Sequence, residues 1–228
     1  MFIIKDMSST WRTLAAGTRR DIVLVCLAVG LVALSYGAIA VADGFPIWLP
    51  AVQSVLVLAG SSELLFIGIV AAGGNPIATA LAGLLVNARH VPYGLALPPG
   101  VTGSNLISRL VGTHLMNDES VVFALAQTRD ARGPGRAAFW ACGLGVLICW
   151  PAGAVAGALI GESIRDTSAF GLDAMFPAVI LALILPKLSE SKTRNAALAG
   201  VAIALATTPF LPAGLPVLLA LAAVVLAR

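Results

Sequence analysis

Charge is scarce in this chain. Only 11% of its 228 residues are Asp, Glu, Lys or Arg, against about 25% in an ordinary soluble domain. Hydrophobic residues make up 59% and the mean hydropathy is +0.96, so a water-exposed surface would lack its solvating groups. This excludes a soluble domain and indicates an integral, polytopic membrane protein. Cysteine and histidine are also rare, at three and two residues. Cys26, Cys142 and Cys149 fall inside apolar runs, where a thiol reads as a small core hydrophobe rather than half of a disulfide. Two histidines and no paired cysteines argue against a zinc site, and no metal or cofactor is implied. Two motifs are missing as well. There is no Gly-x-x-x-x-Gly-Lys-Ser/Thr loop to hold ATP, and no Gly-x-Ser-x-Gly turn to present a hydrolytic serine.

What is present is a series of apolar runs. A membrane span needs about 20 apolar residues, and by that measure the first is Ile22–Ala42, the second Pro46–Ala72 and the third Pro76–Pro98. A weaker fourth runs from Ser104 to Gln127, interrupted by Arg109, His114, Asn117, Asp118 and Glu119. The fifth is Ala137–Ile160 and the sixth Phe170–Pro186. The tail, Asn195–Ala227, is broken between Thr207 and Pro216 and makes either two short spans or a re-entrant hairpin. Ile22–Ala42 is too long for a signal-peptide core of about 7–15 residues, so it is expected to remain as the first span. The sequence therefore predicts one all-α domain over residues 1–228, a bundle of seven or eight membrane segments, some discontinuous.

Loop charge supports this count. Residues 1–21 hold Lys5, Arg12, Arg19 and Arg20; the later loops on the same side hold Arg129, Arg132, Arg136, Lys187, Lys192 and Arg194, with Arg228 at the end. The other side keeps Arg165, accompanied by Glu162 and Asp166. The positive-inside rule then places 1–21 and both termini in the cytoplasm of an inner-membrane protein, provided the weak fourth segment crosses. The net charge of +3 is thus a matter of topology, and nucleic-acid binding has no support.

The sharpest chemical signal is in the third segment, Asn87-Ala88-Arg89-His90-Val91-Pro92-Tyr93-Gly94. A charge at mid-bilayer costs about 2.5–3.5 kcal/mol on insertion scales and is normally kept facing a partner or a water-filled cavity. Asn87 and His90 share one helical face, and Arg89 and Tyr93 another. Pro92 is expected to break the helix at this cluster, and unwound backbone at mid-membrane is how many transporters form a substrate site. The alternative is that Arg89 only locks two helices together. Glu63, after Gly60-Ser61-Ser62, is either its ion-pair partner or a proton or substrate site. In the fourth segment His114 and Asp118 lie four apart, flanked by Asn117 and Glu119; the alternative is an interfacial helix end. Gly153, Gly157 and Gly161 form a ridge for close packing against a helix of this chain or of a partner. Trp11, Trp48 and Trp140 read as interfacial anchors.

Together these stretches resemble the AzlC family, the large subunits of branched-chain amino acid exporters. The likeness is carried by Ala59–Glu63, Val86–Gly94, Asn117–Ser120 and Gly171–Ala178, in order over nearly the whole chain. Asn117-Asp118-Glu119 stands where Thr-Asp-Glu is commoner in the family, and Glu63 where many members carry Gln. The resemblance implies export of valine, leucine or isoleucine together with a small AzlD-type membrane subunit. Candidate substrate-binding or ion-coupling residues are Glu63, Asn87, Arg89, His90, Tyr93, His114, Asp118 and Glu119. A proton-coupled secondary transporter rather than an enzyme is expected. The alternatives are a channel, a subunit exporting another small polar solute, or a membrane hydrolase using Ser61 or Ser62 with His90.

Overall fold

The computed structural model describes residues 11, 13–127, 133–163, 181, 185–211, 215–220 and 222–223. Every regular element among them is helical. The helices are α1 (Ala16–Ala42), α2 (Trp48–Leu56), α3 (Gly60–Ala71), α4 (Pro76–Asn87), α5 (His90–Ala96), α6 (Leu106–His114), α7 (Asp118–Gln127) and α8 (Pro134–Ser163). A 3-10 turn at Leu185–Ser189 leads to α9 (Ser191–Thr207), and α10 (Leu215–Ala220) follows. Lys5, Arg12, Arg129, Arg132, Arg165, Asp166, Arg228, the stretch 171–178 and nearly all of the expected span 170–186 lie outside the described residues.

Two helices among the described residues are long and apolar enough to cross a membrane, Ala16–Ala42 with mean hydropathy 2.6 and Gly135–Ser163 with 1.9. At about 1.5 Å per residue the 27 residues of α1 extend roughly 40 Å, beyond the ~30 Å of a hydrocarbon core. These two helices form the most extensive packing interface. Glycine makes it possible. A Cβ on Gly157 would overlap the Leu34 carbonyl oxygen, one on Gly153 the Gly30 carbonyl, and one on Gly37 the Ala154 carbonyl. The ridge of Gly153, Gly157 and Gly161 is therefore occupied by α1 of the same chain and is not free for a partner helix.

The runs 46–72, 76–98 and 104–127 each consist of two shorter helices. Between α2 and α3 the chain unwinds at Leu58, whose φ of 51° places a non-glycine residue in the left-handed region, at a cost of order 1–3 kcal/mol. Burial of the Leu58 side chain in the core offsets it. Between α4 and α5 the break falls at Ala88–Arg89, one turn before the expected site at Pro92. Pro92 has no N–H to give the Ala88 carbonyl, which instead accepts from Val91 N at 3.0 Å; the proline then sits in the first turn of α5, where a missing N–H is harmless. Between α6 and α7, Asn117 starts the new helix. Its Oδ1 accepts from Ser120 N at 2.8 Å while Asn117 N donates to Ser120 Oγ at 3.0 Å, a reciprocal cap.

Large apolar side chains point outward, among them Leu27 and Leu31 on α1 and Ile77, Leu81 and Leu84 on α4, whereas Glu63, Ser54, Ser62, Asn117 and Ser120 are buried. That inversion suits a chain solvated by lipid rather than water. Trp48 is exposed, but Trp140 is not the expected anchor: it is buried in the core and its Nε1 donates to the Val101 carbonyl at 2.9 Å. Cys26 and Cys142 are buried and all three cysteines are free thiols. In the tail α10 folds back on α9, and Gly200 lets the two helices approach at Ala220.

Candidate functional site

The three helix breaks converge on one cavity of about 550 Å³. Its polar wall comes from the breaks themselves: Leu58 to Ser61 at the start of α3, Arg89 and His90 at the start of α5, and Asn117, Asp118 and Glu119 at the start of α7. Its apolar wall comes from the long helices, with Val25, Ala28, Val29 and Val32 of α1 and Val146 and Trp150 of α8, completed by Leu64. Breaking a helix frees backbone N–H groups at the new N-terminus and gives it partial positive charge. The breaks thus place polar backbone and ionisable side chains together in an otherwise apolar bundle.

Arg89 ties the breaks to one another. Its Nη2 lies 2.9 Å from Asp118 Oδ2, and its Nη1–H donates to Ser61 Oγ at 2.6 Å. Asp118 accepts through its other oxygen from the Tyr93 hydroxyl at 2.5 Å. Asn87 Nδ2 donates to Ser62 Oγ at 2.9 Å, fastening the end of α4 to the start of α3. The Asn87 carbonyl accepts from His90 Nδ1–H at 2.8 Å, which in a neutral ring leaves Nε2 as the acceptor. The His90 ring also meets Tyr93 edge-on, with centroids 5.7 Å apart. Glu119 lines the cavity and has no cation paired with it among the described residues.

Of the candidates from the sequence, Asn87 and Tyr93 support the cavity wall through Ser62 and Asp118 without lining it, and Glu63 and His114 lie elsewhere. Glu63 is not the partner of Arg89. It is sealed behind the cavity at 1% exposure, where Oε1 accepts from Ala59 N at 2.9 Å and Oε2 from Trp150 Nε1 at 3.0 Å. The Trp150 ring stacks on Tyr36 at 5.7 Å between centroids, and Gly60 lets the indole pass, since a Cβ there would come within 2.5 Å of it. His114 is exposed at the end of α6 and donates from Nε2 to the Val55 carbonyl at 2.9 Å, apart from the cavity wall. Sequence reasoning missed Ser61 as a ligand of Arg89, and Trp150 as a wall of the cavity. The position of Trp150 in mid-span, away from either interface, was the available signal. His90 bonds to the Asn87 carbonyl, while Ser61 accepts from Arg89 and Ser62 donates to the Ala59 carbonyl.

The profile of the AzlC protein family matches residues 24–164, a stretch that contains all three breaks, the whole of α8 and α1 from Leu24 onward. The chain belongs to the AzlC family. A relative within reach of direct comparison is the "Branched-chain amino acid transport protein AzlC" of Bacillus subtilis (strain 168), 27% identical over 179 residues, covering 76% of this chain and 68% of the relative. No solved structure matches the chain. The resemblance to the AzlC family is therefore confirmed, and from two of the stretches that carried it Arg89, His90, Asn117, Asp118 and Glu119 line the cavity.

Proposed function

We propose that this chain is a secondary transporter that exports branched-chain amino acids across the cytoplasmic membrane, working with a small AzlD-type subunit and driven by a proton gradient. Membership of the AzlC family supports a transporter of that type. The name of the Bacillus subtilis relative supports an amino acid as the substrate.

One observation carries the reading to the residues. Arg89, a Glu119 with no ion-pair partner among the described residues, and an aliphatic wall meet in a single cavity. An amino acid zwitterion presents complementary groups: a carboxylate for the guanidinium, an ammonium for Glu119 and Asp118, and a branched side chain for the valines of α1. A guanidinium suits a carboxylate because its N–H groups match the two oxygens. Burying a Val- or Leu-sized side chain contributes about 1.5–3 kcal/mol, and a cavity of this size accommodates such a ligand. Asp118, Glu119 and His90 at the cavity are the groups placed to exchange protons. Glu63 is out of contact with the cavity and holds Trp150 in position.

The test is efflux of labelled valine and leucine from cells expressing the chain, with and without the small subunit, before and after addition of a protonophore. Faster efflux that requires both subunits and stops when the gradient collapses is the outcome this reading requires. Equal retention in expressing and empty cells, with the subunit present, would assign the chain another substrate. Efflux that runs only down a concentration gradient would make it a channel.

A further inference from the structure

We propose that Asn117 is a substrate-binding residue, its side-chain amide donating to the carboxylate of the amino acid beside Arg89. This rests on the transport reading above.

Asn117 is 95% buried, with 5% relative exposure, and belongs to the wall of the cavity. The orientation of its amide follows from the backbone. Oδ1 accepts from Ser120 N at 2.8 Å, so it must face the first turn of α7, and Nδ2 is turned away from that turn. There Nδ2 is buried without an acceptor. A buried polar donor normally has a partner, and an unpaired one calls for an explanation. The helix cap accounts for Oδ1 alone: Ser or Asp would cap as well, and neither has a donor that corresponds to Nδ2.

A second donor at the same cavity is in the same state. Arg89 uses Nη1 on Ser61 and Nη2 on Asp118, yet its Nε is buried with no acceptor. Two unmet donors on residues that line one cavity, one of them cationic, suit an acceptor group with two oxygens and a negative charge. A carboxylate has both. The unwound start of α7 would then contribute to both ends of the substrate, with Asn117 on the carboxylate and Glu119 on the ammonium.

The experiment measures binding of labelled leucine and of leucinol, in which a hydroxymethyl group replaces the carboxylate, to the purified full chain in complex with its small subunit. The variants are Asn117→Ser and Asn117→Asp, which keep the cap and remove the amide NH2 at the Nδ2 position. Loss of a hydrogen bond to a charged group predicts leucine affinity about 10-fold weaker in Asn117→Ser. Asn117→Asp should lose more, because its charge repels the carboxylate. Leucinol affinity should change much less in Asn117→Ser, and melting temperatures should stay close to that of the unaltered protein. If Asn117→Ser does not fold, the same comparison with Asn117→Asp decides. Leucine binding by either folded variant as tight as by the unaltered protein overturns the assignment, as does an equal loss for leucine and leucinol. If the unaltered protein binds neither leucine nor valine, the transport reading itself fails and the assignment falls with it.

Discussion

Arg89 and Asp118 meet at 2.9 Å through one nitrogen of the guanidinium, while Nε of the same group remains buried and unpaired. The bridge joins the break before α5 to the break before α7, and Ser61 joins it to the break before α3. Arg89 is thus both the fastening of three interrupted segments and a guanidinium with donor capacity to spare. Both roles need a planar fork rather than a point charge. Arg89→Lys is expected to reduce efflux at least about 10-fold, with the protein still eluting as a single folded species. Normal export by Arg89→Lys would mean that no bidentate contact is used.

Tyr93 holds the remaining oxygen of Asp118. Tyr93→Phe removes that one donor and leaves the ring against His90. A hydrogen bond to a charged group is worth about 1.5–3 kcal/mol, but Asp118 is partly exposed and keeps Arg89, so the effect falls at the low end. A loss of about 10- to 15-fold in transport rate is expected. No change would show that Asp118 is positioned by Arg89 alone.

Glu63 gives a contrasting expectation. Both carboxylate oxygens accept, one from Ala59 N and one from Trp150 Nε1. In Glu63→Gln the amide NH2 opposes one of these donors, leaving it unmet at a cost of about 1–3 kcal/mol. The melting temperature should fall by roughly 2–10 °C, with export reduced in rate but retained. Abolished export with unchanged melting would make Glu63 a proton carrier rather than a support for Trp150.

The contact of α1 with α8 leaves no room for a side chain at Gly37, Gly153 and Gly157. In Gly157→Val the new side chain meets the Leu34 carbonyl, a backbone atom that cannot move aside without shifting α1. Overpacking of this kind costs about 1–3 kcal/mol or more, so loss of folded protein in detergent is expected. A substitution at Gly68, with open space around its Cβ position, is the control and should be tolerated.

Much of this was legible in the sequence because membrane insertion leaves a strong compositional mark. A mid-span Arg89 and a polar run at Asn117–Glu119 had to face each other or water, and they do. Glu63 differs, since its place on the span adjacent to that of Arg89 made an ion pair one of its two expected roles. A carboxylate at the start of a helix is also satisfied by backbone and indole N–H groups, and those partners are visible only in three dimensions. His114 and Asp118 share a face only if one helix runs through both; the break at Leu115–Asn117 separates them. Pro92 correctly marked an interruption, but the missing N–H acts on the carbonyl four residues earlier, which moves the break upstream. The glycine ridge was legible as a ridge, whereas the identity of the helix seated on it was not.

The most direct test of the central claim is competition against labelled leucine bound to the purified complex, using compounds that each lack one end of the zwitterion. On the proposed reading, the cavity around Arg89, Asn117 and Glu119 requires carboxylate, ammonium and aliphatic side chain together. Unlabelled leucine and valine should therefore displace the label, while 4-methylpentanoate and 3-methylbutylamine should do so at least about 100-fold more weakly. Displacement by either half-molecule as readily as by leucine would contradict the account.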